Sequence, residues 1–159
     1  MARKMEIHWW KPLKLTSGKR EGLIYSFPSL EELPDHPGVY VFGRMQGRSH
    51  FVPIYIGKAE NLHRRIRSQL NNVRLMVALQ REPARQRLLA IGQYVGGPGT
   101  RANRAIQVAE RILIEHALAE GHQLLNQQGT RRPQHEIAFT GSRKARDWLP
   151  RALAAPARR

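Results

Sequence analysis

The stretch GVYVFGRMQGRSHFVPIYIGKAENLHRR, from Gly38 to Arg65, decides how the rest of the chain is read. It opens with alternating apolar residues, Val39 and Val41 pointing one way and Tyr40 and Phe42 the other. A polar, glycine-containing turn follows from Gly43 to His50, and then a second apolar run from Phe51 to Ile56. Two β-rich runs joined by such a turn predict an antiparallel hairpin. Gly57 is expected to break the second strand, and Asn61 or Glu60 to cap a helix beginning near Leu62. Tyrosines on adjacent strands, followed by a lysine and arginines, form an arrangement suited to handling phosphate.

Gly38-Val39-Tyr40 and Tyr55-Ile56-Gly57, with Lys58, Asn61-Leu62 and Arg65 in register, resemble the GIY-YIG nuclease family. Members of that family carry an arginine ten residues after the second tyrosine, and Arg65 is ten after Tyr55. Those resembling the nucleotide-excision-repair incision subunit also have a lysine directly after the second motif, as Lys58 stands here. The resemblance covers roughly Leu33 to Asn126. It has one departure: a histidine or tyrosine is frequent fourteen residues after the second tyrosine, where this chain has Gln69. A glutamine can orient a water but cannot take its proton, which favours a tyrosine as base.

The chain has 159 residues with 27 Lys+Arg against 12 Asp+Glu, a formal charge of +15, and no cysteine. That length predicts one domain with one core. The charge implies a polyanionic partner, nucleic acid first and an acidic membrane surface second. Zero cysteines exclude disulfides and thiolate metal sites. No apolar run approaches a membrane span and no segment reads as a secretory signal, so the expected location is cytoplasmic.

Upstream, Met5, Ile7 and Trp9 alternate with Glu6, His8 and Trp10 as in a short strand whose end Pro12 would demote to an edge. One of the two tryptophans should cover the core and the other stay half-exposed, although both lie near basic residues and could stack on bases. Leu30 to Leu33 predicts one helical turn capped by Ser29. Downstream, Leu62, Ile66 and Leu70 form the apolar stripe of a helix, with Arg65 at its margin. Residues 72 to 95 are expected to be helical, broken by Pro83. From Asn61 to Arg104 there are nine arginines and one acid, Glu82, a folded basic surface that would bind phosphates in a salt-sensitive way. Gly96 to Gly99 reads as a flexible loop, with Thr100 capping a helix over about Arg101 to Glu120.

On that last helix Glu110 shares a stripe with Ile106, Leu113 and Ala117. A carboxylate on an apolar stripe is costly unless it is paired or holds a cation. Glu115 is rotated to the other side and reads as an ordinary surface acid. The resemblance maps the family's metal-binding glutamate to Glu110, ahead of Leu113-Ile114, and the family's asparagine to Asn126. One strand is expected at Glu136 to Thr140, a short helix from Ser142 to Leu149, and a frayed tail beyond Pro150.

The predicted architecture is therefore an α+β domain over residues 1–159. A small antiparallel sheet of about three strands, with the hairpin at its centre, is flanked by helices. Its core spans about 33–126, with an N-terminal arm 1–32 and a basic extension 127–159. The resemblance implies a divalent-metal-dependent endonuclease acting on DNA, with Mg2+ or Mn2+ on Glu110. Arg65 would hold the phosphate, Tyr40 and Tyr55 would position or deprotonate the water, and Lys58 would supply a positive field that makes a tyrosine base feasible. Asn126 would fix the geometry. The alternatives are a nuclease for single-stranded DNA or RNA, and a nucleic-acid-binding module with a degenerate site.

Overall fold

The computed structural model describes residues 3–81, 83–126, 135–150 and 152–155. In chain order these form β1 (Arg3–Trp9), β2 (Leu13–Lys14), β3 (Thr16–Ser17), β4 (Tyr25–Ser26), β5 (Gly38–Gln46), β6 (His50–Ala59), α1 (Leu62–Leu70), α2 (Val73–Arg81), β7 (Arg87–Tyr94), α3 (Thr100–Ala119), β8 (His135–Gly141), α4 (Arg143–Trp148) and β9 (Ala152–Ala155). Leu30–Glu32 adds a 3-10 turn preceded by Ser29, whose side chain does not cap it. The class is α+β, as expected.

The sheet is larger than the three strands anticipated and is mixed. Seven strands run in the order β6-β5-β7-β1-β8-β9, with β2 pairing β7. All these pairs are antiparallel except β1 with β8. β3 and β4 form a separate two-stranded ribbon.

The hairpin forms as the alternation dictates. Val39 and Val41 enter a core shared with α3, while Tyr40 and Phe42 enter one shared with α1 and α2. Both strands run further than expected, leaving a tight turn around Gly47 (φ 70°). Gly57 does not break β6; it pairs with Tyr40 inside it, and the strand ends at Ala59.

The segment read as helical up to residue 95 divides. Its first part is α2, but Arg87–Tyr94 is β7, a central strand between β5 and β1. Leu89 and Ile91 face the α1/α2 core and Ala90 the α3 core. A strand buried on both faces shows a continuous apolar run in place of alternation, so its period is hidden in the sequence.

β1 is likewise interior, paired with β7 on one side and β8 on the other, and Pro12 falls after it without making an edge. Met5, Ile7 and Trp9 are buried, and Trp10 is half-buried with its indole N–H donated to Gln93 Oε1 at 3.1 Å. Base stacking by Trp9 is therefore excluded. Thr100 is the first residue of α3, and Gly99, not Thr100, is its cap. The tail beyond Pro150 is not wholly frayed: Ala152–Ala155 pairs with β8. Among the described residues, no helix is long and apolar enough to cross a membrane.

Candidate active site

Two faces of the sheet contribute, and they meet at its outer strand, β6. On the first face, Tyr40 of β5 pairs with Gly57 of β6, which sets its ring diagonally beside Tyr55. The two rings stack with centroids 6.2 Å apart and planes 15° apart. Asn61 accepts the Arg64 N–H at 2.9 Å and starts α1 there. From that start Leu62, Ile66 and Leu70 pack onto the sheet, about 1.5–3 kcal/mol each for a fully buried aliphatic side chain.

This seating carries Arg65 and Gln69 to the tyrosines. Arg65 is exposed as a residue, yet its Nε donates to Tyr40 Oη at 3.3 Å. Gln69 is buried and its Nε2 donates to the same oxygen at 2.7 Å. Gln69 thus holds the Tyr40 hydroxyl. Burial raises Tyr40 above the ordinary phenol range, while the donors Gln69 and Arg65 act to lower it. Contact with Tyr40 pushes the Arg65 guanidinium further up, so it stays a cation.

On the second face, Lys58 pairs with Val39 in register, one residue on from Gly57, and so points away from the tyrosine side. Its Nζ lies 3.9 Å from Glu110 Oε2 of α3. Lys58, expected to supply the field at a tyrosine, lies against Glu110, and the cation bonded to Tyr40 is Arg65. The Glu110 side chain is 15% exposed. Burial raises its carboxyl above the usual carboxylate range, with Lys58 and then Arg65 offsetting part of that rise. The charge of Arg65 therefore acts on groups from both faces.

Asn126 lies on the segment that follows α3 along the open edge of β6. Leu125 N–H donates to Ile54 O at 2.9 Å. Asn126 then accepts the Ile56 N–H at 3.2 Å and donates its own NH2 to the Ile56 carbonyl. It binds the backbone between Tyr55 and Gly57, on an edge that has no neighbouring strand among the described residues. Glu115, expected to be an ordinary surface acid, is half-buried with Oε1 withdrawn from solvent.

Among the described residues no group of three or more His, Asp or Glu converges as a metal site. Glu110 therefore offers one carboxylate, and a hard divalent cation held there would fill its remaining positions with water or substrate oxygens.

Curated relatives cover part of the chain. It is 40% identical over 65 residues to proteins called Excinuclease cho from Shigella flexneri, Escherichia coli strain K12 and Escherichia coli O157:H7. The match spans 36% of this chain and only 21% of each relative. No family model matches the chain, and no solved structure matches it.

Proposed function

We propose that this chain carries a GIY-YIG-type nuclease site that hydrolyses phosphodiester bonds in DNA with a divalent cation. The observation that carries the reading is the position of Arg65, bonded to Tyr40 on one face and acting electrostatically on Glu110 on the other. A phosphate seated at the edge of β6 would meet a fixed guanidinium, two stacked phenols and an under-compensated carboxylate. The similarity to excinucleases supports the same class of activity, over a limited stretch.

Bound at Glu110, Mg2+ or Mn2+ would supply a Lewis acid for the phosphoryl oxygens. The chain's own groups do the rest. Arg65 receives a phosphate oxygen and holds it as charge develops; one such donor is worth about 10²–10³ in rate. Tyr40 and Tyr55 orient the attacking water, and a phenolate accepts its proton as the new P–O bond forms. The P–O bond to the leaving oxygen breaks and that oxygen is protonated from solvent. Lys58 holds Glu110 in place, and Asn126 fixes the strand that presents Tyr55.

The test is nicking of supercoiled plasmid with Mg2+, Mn2+ or chelator, using the full chain and Glu110→Gln, alongside duplex, single-stranded and RNA substrates. Metal-dependent nicking that Glu110→Gln abolishes is the expected result. Binding without cleavage under every metal would instead assign the chain as a nucleic-acid-binding module. Preferred cleavage of RNA or single strands would move the substrate.

A further inference from the structure

The turn between α1 and α2 carries a row of amides whose polarity is set by the backbone. The Leu75 N–H donates to Asn72 Oδ1 at 3.2 Å. A backbone N–H can only donate, so the oxygen of Asn72 faces Leu75 and its NH2 faces Gln69. That NH2 donates to Gln69 Oε1 at 3.0 Å. With its oxygen so engaged, Gln69 turns Nε2 to Tyr40 and donates to the hydroxyl at 2.7 Å. Each orientation forces the next, because an amide NH2 has no lone pair to offer. From the other side Arg65 Nε donates to the same oxygen at 3.3 Å, and a guanidinium has only donors.

The Tyr40 oxygen therefore accepts twice from the protein, and neither neighbour can take its proton. A neutral phenol must send that proton along the remaining direction. An ionised one keeps both donors and gains a lone pair along that same direction.

We propose that Asn72 and Gln69 are positioning residues, a one-way amide relay that keeps the inner side of Tyr40 an acceptor. The relay leaves the proton, or after ionisation the lone pair, to the one direction at that oxygen that neither donor occupies. Asn72 does this without touching substrate. The use of that lone pair on an attacking water rests on the nuclease reading; the relay itself does not. The titratable groups facing Tyr40 are Tyr55 from β6 and Arg65 from α1. Gln69 from α1, and Asn72 behind it, bring neutral amides. Burial raises Tyr40, and the Gln69 donor is the largest influence acting against that rise.

The experiment follows Tyr40 directly in the full chain by NMR of 13C at the tyrosine Cζ, its signal assigned by loss in Tyr40→Phe. Gln69→Leu removes the donor at similar volume. Asn72→Ser keeps an oxygen for the Leu75 N–H but has no NH2 for Gln69, which is then free to turn. Both variants are neutral, so no new charge confuses the result. Tyr40 is expected to titrate about one pH unit higher in Gln69→Leu, and higher by a smaller step in Asn72→Ser. The acid limb of the nicking rate should move the same way. A Tyr40 unmoved in either folded variant, or one that stays protonated in wild type and variants alike up to unfolding, overturns the relay. If Tyr40 moves as expected but no DNA is cut, the relay stands and the nuclease reading falls. If wild type cuts DNA and Tyr40 does not move, the relay falls alone.

Discussion

Gly57 lies directly against the ring of Tyr40: a Cβ at position 57 would sit 2.4 Å from both Cζ and Oη of the tyrosine. The space that a side chain would occupy is filled by the phenol, which is fully buried there and bonded to Gln69 and Arg65. Gly57→Ala must displace the ring, because the backbone beneath it is held in the β5–β6 ladder. Overpacking of this kind costs about 1–3 kcal/mol. The expected result is a lower urea midpoint together with loss of nicking, and a Tyr40 13C signal moved from its wild-type position. A variant as active as wild type would mean that the Tyr40 hydroxyl is not needed where it lies.

Glu110 should trade stability for function. Its carboxyl titrates above the usual carboxylate range because it is buried. The folded state therefore holds this proton to higher pH than the unfolded state does. The stability so contributed is fully present below the unfolded value of about 4.3, and is lost as pH rises through the folded value. Glu110→Gln removes that loss. Denaturant midpoints should show the variant equal to or more stable than wild type at pH 7, with the difference shrinking toward pH 4. Added Mn2+ should raise the wild-type Tm and leave that of the variant unchanged. A variant less stable at pH 7 than at pH 4, relative to wild type, would make Glu110 a structural partner of Lys58.

What could be read from the residues follows their chemistry. The hairpin was legible because Val39 and Val41 face one layer and Tyr40 and Phe42 the other, and α1 because Asn61 caps it ahead of an unbroken Leu62/Ile66/Leu70 stripe. β7 was not, since Leu88 to Ile91 is apolar on both faces and no period distinguishes it from a helix. Nor was the interior place of β1, whose parallel partner β8 lies more than a hundred residues away. At the candidate site, Tyr40, Tyr55, Lys58, Arg65, Glu110 and Asn126 could be named by resemblance, but not how they pair. Lys58 was expected to act on the tyrosines; with β6 running on to Ala59, the strand alternation turns it to Glu110. Asn72 gave no signal, because its role depends on how tightly α1 turns into α2.

The arginines of the basic surface should separate into two kinds. Arg87 donates its Nε to Leu79 O at 2.6 Å and Nη1 to Ala84 O at 3.3 Å, and its guanidinium lies 5.6 Å from the Tyr25 ring centre. Those bonds tie the α2–β7 connection, so Arg87→Ala should lower the denaturant midpoint and leave the salt dependence of DNA binding unchanged. Arg74 and Arg81 are exposed on α2 and Arg104 on α3. Replacing any one of these that contacts phosphate should leave stability unchanged and reduce the slope of log K against log salt by about 1. Binding titrations at several salt concentrations, paired with urea melts, separate the two outcomes.

Asn126 is the last test, and it turns on the two ends of one amide. Its oxygen takes the Ile56 N–H at 3.2 Å and its NH2 meets the Ile56 carbonyl. Both groups lie on the outer edge of β6, where no further strand pairs with them among the described residues. Asn126→Ala removes both bonds, about 0.5–1.5 kcal/mol each, and frees the strand at the point where Tyr55 and Gly57 project. Hydrogen exchange should then show the Ile56 amide losing protection while the Leu62–Leu70 amides keep theirs, and nicking should fall. Asn126→Asp discriminates further. It keeps an acceptor for the N–H but sets a carboxylate against the carbonyl, where only a donor is tolerated, so it should rescue neither protection nor cleavage. If Asn126→Asp behaved as wild type, the asparagine would be needed for its oxygen alone, and its hold on the strand carrying Tyr55 would rest on one bond.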